Sequence, residues 1–211
     1  MMKQPIRPID ATRKTAVISG GSSGIGLACA HILIARGYHV ILLARDEARL
    51  AEAQRSILEN TGACVAIRSL DVGDADGCAK AVADIFTHRG KIDWLITSAG
   101  TVEPGLFDHL SLDSHRRQME TNYFGTLNLV HPVTKVMESN GGGRITLIAS
   151  GADIAILEPL APGARLAGAA QLEREVADHD VALIARALEL QLEDRVAVQA
   201  LVEERRERLA R

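Results

Sequence analysis

The stretch TAVISGGSSGIGLACAHILIAR, residues 15–36, sets the architecture. A short β-branched run ends abruptly in glycines, and helical periodicity then starts and runs to Gly37, a C-cap signal. Between the two lies SGGSSGIG, residues 19–26. Gly20 permits a tight turn there, and Gly24 and Gly26 permit close approach of backbone to a pyrophosphate and close helix packing. Free N–H groups at the start of such a helix favour an anion. The loop therefore predicts dinucleotide binding through Gly20, Ser22, Ser23, Gly24, Ile25 and Gly26.

The pattern repeats outward from this loop. HVILLA (39–44), CVAIRSL (64–70), DWLITSAG (93–100) and RITLIA (144–149) predict further strands. Helices are predicted from Asp46 as N-cap to about residue 60, from Asp74 to about Arg89 with a stop at Gly90, and as one long helix over 111–138. Strand–helix alternation with nearly continuous apolar strands predicts an α/β fold, a doubly wound parallel sheet covered on both faces. Ligands of such sheets bind at the carboxyl ends of the strands, where Ser19, Arg45, Asp71, Ser98 and Ser150 fall.

Composition narrows the possible partners. The net charge of −3 argues against nucleic acid or an anionic membrane as the main partner. No apolar run approaches the roughly 20 residues that span a bilayer. The N-terminus carries basic residues without an apolar h-region, so no signal peptide is expected. Cys29, Cys64 and Cys78 show no metal-ligand spacing; buried thiols in a reducing cytoplasm, and no metal, are expected. His109, His115, His131 and His179 are too dispersed to serve together as a general acid, and all seven histidines are expected to be surface or satisfied residues.

Residues 1–150 thus predict a nucleotide-binding core. Residues 151–211 differ, with eight arginines, no lysine and no aromatic against twelve acids. They predict a mainly helical segment packed on or beside the core, although RVAVQALV (195–202) also alternates at period two, as a sixth strand would.

The second strand reads LLARDEAR (42–49). An acid at its end would suit a ribose 2′-OH, but Ala44 stands there, followed by Arg45 and, one helical turn on, Arg49. Two guanidiniums suit a ribose 2′-phosphate, which favours NADP(H). Arg49 could equally pair with Asp46 or Glu52 on a solvated face.

Four motifs in order, SGGSSGIG, SAG (98–100), NYFGT (122–126) and LIAS (147–150), resemble those of the short-chain dehydrogenase/reductase family over about residues 15–150. Ser19 stands for that family's threonine and Ser98 for its asparagine. The resemblance implies a Rossmann-like fold and reduction of a ketone to a secondary alcohol. It implies Asp71 and Val72 at the adenine, although Asp71 could simply cap the next turn. Ser98, Ala99 and Gly100 would border the cofactor, Ser150 would bond the carbonyl and Asn122 would position the water of a proton relay. A tyrosine and a lysine would be expected about thirteen and seventeen residues after the serine; Gly163 and Ala167 stand there. No tyrosine follows Tyr123 and no lysine follows Lys135. A changed reading frame or splice after about residue 153, a divergent member without chemistry, and an acid from elsewhere in the fold all fit. Within the family the chain looks most like the 3-ketodihydrosphingosine reductase branch, which implies a long-chain 3-keto sphingoid base as substrate, and lipid metabolism. A 3-ketoacyl thioester is the nearest competitor, and a non-catalytic NADP-binding sensor or partner subunit is the rival of another class. Family members often form homo-oligomers.

Overall fold

A computed structural model describes residues 13–104, 109–148 and, by backbone, 164–167. Strands β1 (Thr15–Ser19), β2 (His39–Ala44), β3 (Ala66–Ser69), β4 (Trp94–Thr97), β5 (Gly143–Leu147) and β6 (Ala164–Ala167) alternate with helices α1 (Gly24–Ala35), α2 (Glu47–Thr61), α3 (Ala75–Arg89), α4 (Leu112–Met119) and α5 (Gly125–Ser139). Among the described residues the strands form one parallel sheet in the order β3-β2-β1-β4-β5-β6. The winding reverses between β1 and β4, so a crevice opens above their carboxyl ends.

Alternate strand residues feed two cores. Val17, Ile41, Leu43, Leu95 and Ile145 pack under α3 and α5, against Val82, Ile85, Leu129 and Val133. Ala16, Ile18, Val40, Leu42 and Ile96 pack under α1 and α2, against Leu33, Leu50 and Ile57. Strands buried on both faces explain why their sequence reads as unbroken apolar runs. The helix ends follow local chemistry. The Asp46 carboxylate accepts from Arg49 N–H at 3.0 Å and the Asp74 carboxylate from Gly77 N–H at 3.0 Å, while Gly90 ends α3 in a left-handed turn.

Two expectations need correction, the unbroken helix over 111–138 and the burial of all three thiols. The helix over 111–138 is broken: a π-helical turn, Glu120–Phe124, separates α4 from α5. The extra residue of such a turn re-aims the side chains beyond it. A further strand expected in this region is Ala164–Ala167, paired parallel to β5, while the alternating run at 195–202 lies outside the described residues. The described part of 151–211 is therefore extended, and its remainder lies outside the described residues, as does Ser150. Finally, Cys64 is exposed, because β3 begins two residues later and leaves it in the entry loop.

The other two thiols are buried. Burial pushes Cys29 up to about 12; burial, with Asp74 and Asp71 nearby, pushes Cys78 up to about 11. Thiolates are the reactive form, so native protein takes one equivalent of iodoacetamide, at Cys64. Labelling of Cys29 or Cys78 at the rate of Cys64 in native protein would contradict this packing.

His39, half-buried at the start of β2, has its pKa lowered by burial and by Arg89 and Arg13. The unfolded chain then takes up the proton first as pH falls. The stabilisation from neutral His39 is complete above its ordinary value of 6.5 and is lost as pH falls through the folded value. Melting temperatures measured from pH 7.5 down to 5 fall for the wild type, and His39→Asn flattens that limb.

Candidate functional site

The loop after β1 is built around one close approach. Gly20 has φ +67°, and a Cβ on it would lie 2.5 Å from the Ser98 carbonyl oxygen. A Cβ on buried Gly26 would overlap the Gly20 carbonyl. The turn folds back onto the head of its own helix and against the end of β4, and only glycine fits at either place. Ser19 fastens the far side: its Oγ accepts from Ser98 N–H at 3.2 Å and Ala99 N–H at 3.3 Å.

Above this turn lies a cleft of about 410 Å³, within the usual range for small-molecule sites. Gly20, Ser22, Ser23, Gly24 and Ile25 form its floor, and Ser98, Ala99 and Gly100 form one wall. Ser23 stands at the N-cap of α1, yet its side chain makes no capping bond. The helices α2, α3 and α4 are each capped by their own side chain, Asp46, Asp74 and Ser111. The first-turn N–H groups of α1 remain available to an anion in the cleft.

Arg45 and Arg49 line the opposite side, both exposed. Among the described residues neither guanidinium has a carboxylate partner, so the pairing with Asp46 or Glu52 is not formed. Asp46 also lines the cleft, but its carboxylate is engaged at the start of α2. Ala44, Leu70 and Val72 close that end with an apolar wall. Two guanidiniums beside an apolar wall, facing open amides across the cleft, suit a dinucleotide with a phosphorylated ribose.

Two expected site residues make bonds to neighbouring loops. Asp71 does not line the cleft; its Oδ1 accepts from Gly73 N–H at 3.0 Å, capping the turn after β3. Asn122, in the π turn, uses both ends of its amide on one residue: Oδ1 accepts from Thr101 N–H at 2.8 Å and Nδ2 donates to Thr101 O at 3.0 Å. It clamps the loop after β4, and its neighbour Thr121 lines the cleft instead. Tyr123 packs edge-on to Phe124, ring centroids 5.1 Å apart. The same loop is held again at Glu103, whose carboxylate accepts from Ser114 Oγ at 2.6 Å and from Arg117 at 3.2 Å. These bonds hold the Glu103 carboxyl below its ordinary value, the Ser114 bond foremost.

Sequence reasoning missed Leu70, Asp46 and Thr121 as lining residues. Leu70 and Thr121 each adjoin a residue singled out in the sequence, so adjacency was the available signal. Among the described residues no cluster of His, Cys, Asp or Glu could hold a metal, and no helix is long and apolar enough to cross a membrane.

The profile of the short chain dehydrogenases matches residues 14–158, most of the chain. The chain belongs to the short chain dehydrogenase family. It is 38% identical over 136 residues to a 3-dehydrosphinganine reductase of Arabidopsis thaliana, a match covering 63% of this chain and 40% of that protein. It is 32% identical over 137 residues to an acetoacetyl-CoA reductase of Shinella zoogloeoides, covering 65% and 55%. Among solved short chain dehydrogenase folds, L-sorbose reductase from Gluconobacter frateurii, complexed with NADPH and L-sorbose, superposes with a TM-score of 0.61. That structure is 33% identical, and the superposition covers 66% of this chain and 53% of that one. The chain spans about half the length of the curated relatives it matches.

Proposed function

We propose that this short chain dehydrogenase binds NADP(H) and reduces a ketone to a secondary alcohol, with a long-chain 3-keto sphingoid base as the substrate class. The observation that carries the nucleotide is the pair Arg45 and Arg49, without carboxylate partners among the described residues, facing the uncapped start of α1 across one cleft. The similarity to 3-dehydrosphinganine reductases supports the substrate class. An exposed free thiol at Cys64 suits a reducing compartment such as the cytoplasm.

The chain's own groups divide the work. The amides of the α1 turn hold the pyrophosphate, and Gly20 and Gly26 let them approach. Arg45 and Arg49 hold the 2′-phosphate, Ala44, Leu70 and Val72 wall the base, and the Thr101 loop pinned by Asn122 borders the reacting end. Ser150 donates to the substrate carbonyl. When bound, the nicotinamide supplies a hydride to the carbonyl carbon, and the oxygen then needs one proton.

That proton favours a second reading. Gly163 and Ala167 stand where a tyrosine and a lysine would serve. Ala164–Ala167 is a strand. A helix would bring such a pair onto one face, whereas the described residues 164–167 are extended. A positioned general acid contributes about 10²–10⁴-fold, a loss that oxyanion stabilisation of roughly 10²–10³-fold does not replace. Under this reading the chain binds NADP(H) without efficient turnover, as a sensor or partner subunit.

Fluorescence titration with NADPH, beside absorbance assays of NADPH oxidation with 3-keto sphingoid bases, 3-ketoacyl thioesters and simple ketones, separates the two. Binding with turnover supports the oxidoreductase, and binding without turnover leaves the second reading. No binding contradicts both.

A further inference from the structure

Helix α5 turns one face toward the loop after β3. Gly125 lies there, and a Cβ on it would sit 2.5 Å from Val72 Cγ2. Three residues on, the same face carries Asn128. Its Nδ2 donates to the carbonyl oxygen of Val72 at 2.9 Å and to that of Gly73 at 3.4 Å. Val72 is buried and forms the apolar wall of the cleft with Ala44 and Leu70.

The loop has two kinds of restraint. The Asp71–Gly73 bond is local and sets the shape of the turn. It cannot set where the turn stands relative to the sheet. Asn128 can, because α5 is anchored by Leu129, Val130 and Val133 in the core beneath it. A helix packed on the sheet thus reaches across to hold the backbone of a residue that walls the nucleotide cleft.

We infer that Asn128 is a positioning residue for the nucleotide, acting through Val72 on the apolar wall that receives the base. This rests on the NADP(H) reading of the same cleft. Since the base is common to NADPH and NADH, Asn128 governs affinity for both alike, whereas Arg45 governs their ratio. Val72 O keeps a weak thiol donor, Cys78 Sγ at 3.6 Å, so truncating Asn128 does not strip that carbonyl of every partner.

Fluorescence titrations of the full chain with NADPH and with NADH test this on Asn128→Ala and on the isosteric Asn128→Asp, which turns an acceptor toward two carbonyls. Asn128→Ala is expected to weaken both nucleotides about tenfold, equivalent to about 1.4 kcal/mol. Asn128→Asp weakens them at least as much, and the NADPH-to-NADH ratio stays at the wild-type value in both. Apo melting curves accompany the titrations, so that affinity is read on folded protein. A lowered melting temperature with unchanged affinity overturns the inference in favour of a purely structural bond, and so does a loss confined to NADPH. If Asn128→Asp does not fold, Asn128→Ala decides by the same criteria. Failure of the wild type to bind either nucleotide overturns the NADP(H) reading first.

Discussion

Arg45→Ala is expected to bind NADPH about 10–30-fold more weakly than the wild type, with NADH affinity changed by no more than about twofold. The selectivity follows from position. Arg45 lies just past the end of β2 and Arg49 in the first turn of α2, and both line the cleft. A cation in the first turn of a helix opposes the helix dipole by about 0.3–1 kcal/mol, and a bound phosphate reverses that penalty. Charge-assisted bonds to phosphate are worth roughly 1.5–3 kcal/mol each, at the lower end for exposed groups such as these. Arg45→Ala/Arg49→Ala should therefore abolish most discrimination between the two nucleotides. Raised salt should erode it in the wild type, since screening acts strongly on exposed pairs. An NADH affinity that falls in step with NADPH would place Arg45 in the fold rather than at the phosphate.

The glycine loop gives the second large effect, and it divides by position. In Gly26→Ala the added methyl meets the Gly20 carbonyl, backbone against backbone, with nothing flexible to yield. Overpacking of this kind costs about 3 kcal/mol, or roughly 6–12 °C in melting temperature for a domain of this size. In Gly24→Ala, at a residue lining the cleft, the methyl meets nothing within 4 Å, and only the φ of +53° is strained. That variant loses about 1–2 kcal/mol of stability but carries a methyl on the loop that would hold the anion, so NADPH affinity should fall by tenfold or more. Calorimetric melting and nucleotide titration of the pair check this. Equal stability in both variants would mean that the turn does not pack on α1 as described.

The sequence carried most of this because the features concerned are local. Parallel strands buried on both faces appear as apolar runs, caps appear as Asp46 and Asp74, and close approaches appear as glycines. The hidden features depend on contacts between distant residues. Nothing in METNYFGTL signals a π turn, because its residues suit an α-helix equally well. The role of Asn122 follows from Thr101, twenty-one residues away, and that of Asn128 from Val72, fifty-six residues away. Resemblance places Asp71 at the nucleotide, and its bond to Gly73 in its own loop becomes visible only in the structure. Ala164–Ala167 has no β-branched residue and no alternation, so its strand is set by the open edge of β5 rather than by propensity.

The decisive measurement for the phosphate-holding role of Arg45 and Arg49 is titration calorimetry of the wild-type protein with NADPH and with NADH at low salt. Both nucleotides are expected to bind, with NADPH tighter by about 100-fold from two guanidinium contacts. Equal affinity for the two, or no binding of either, would contradict that role.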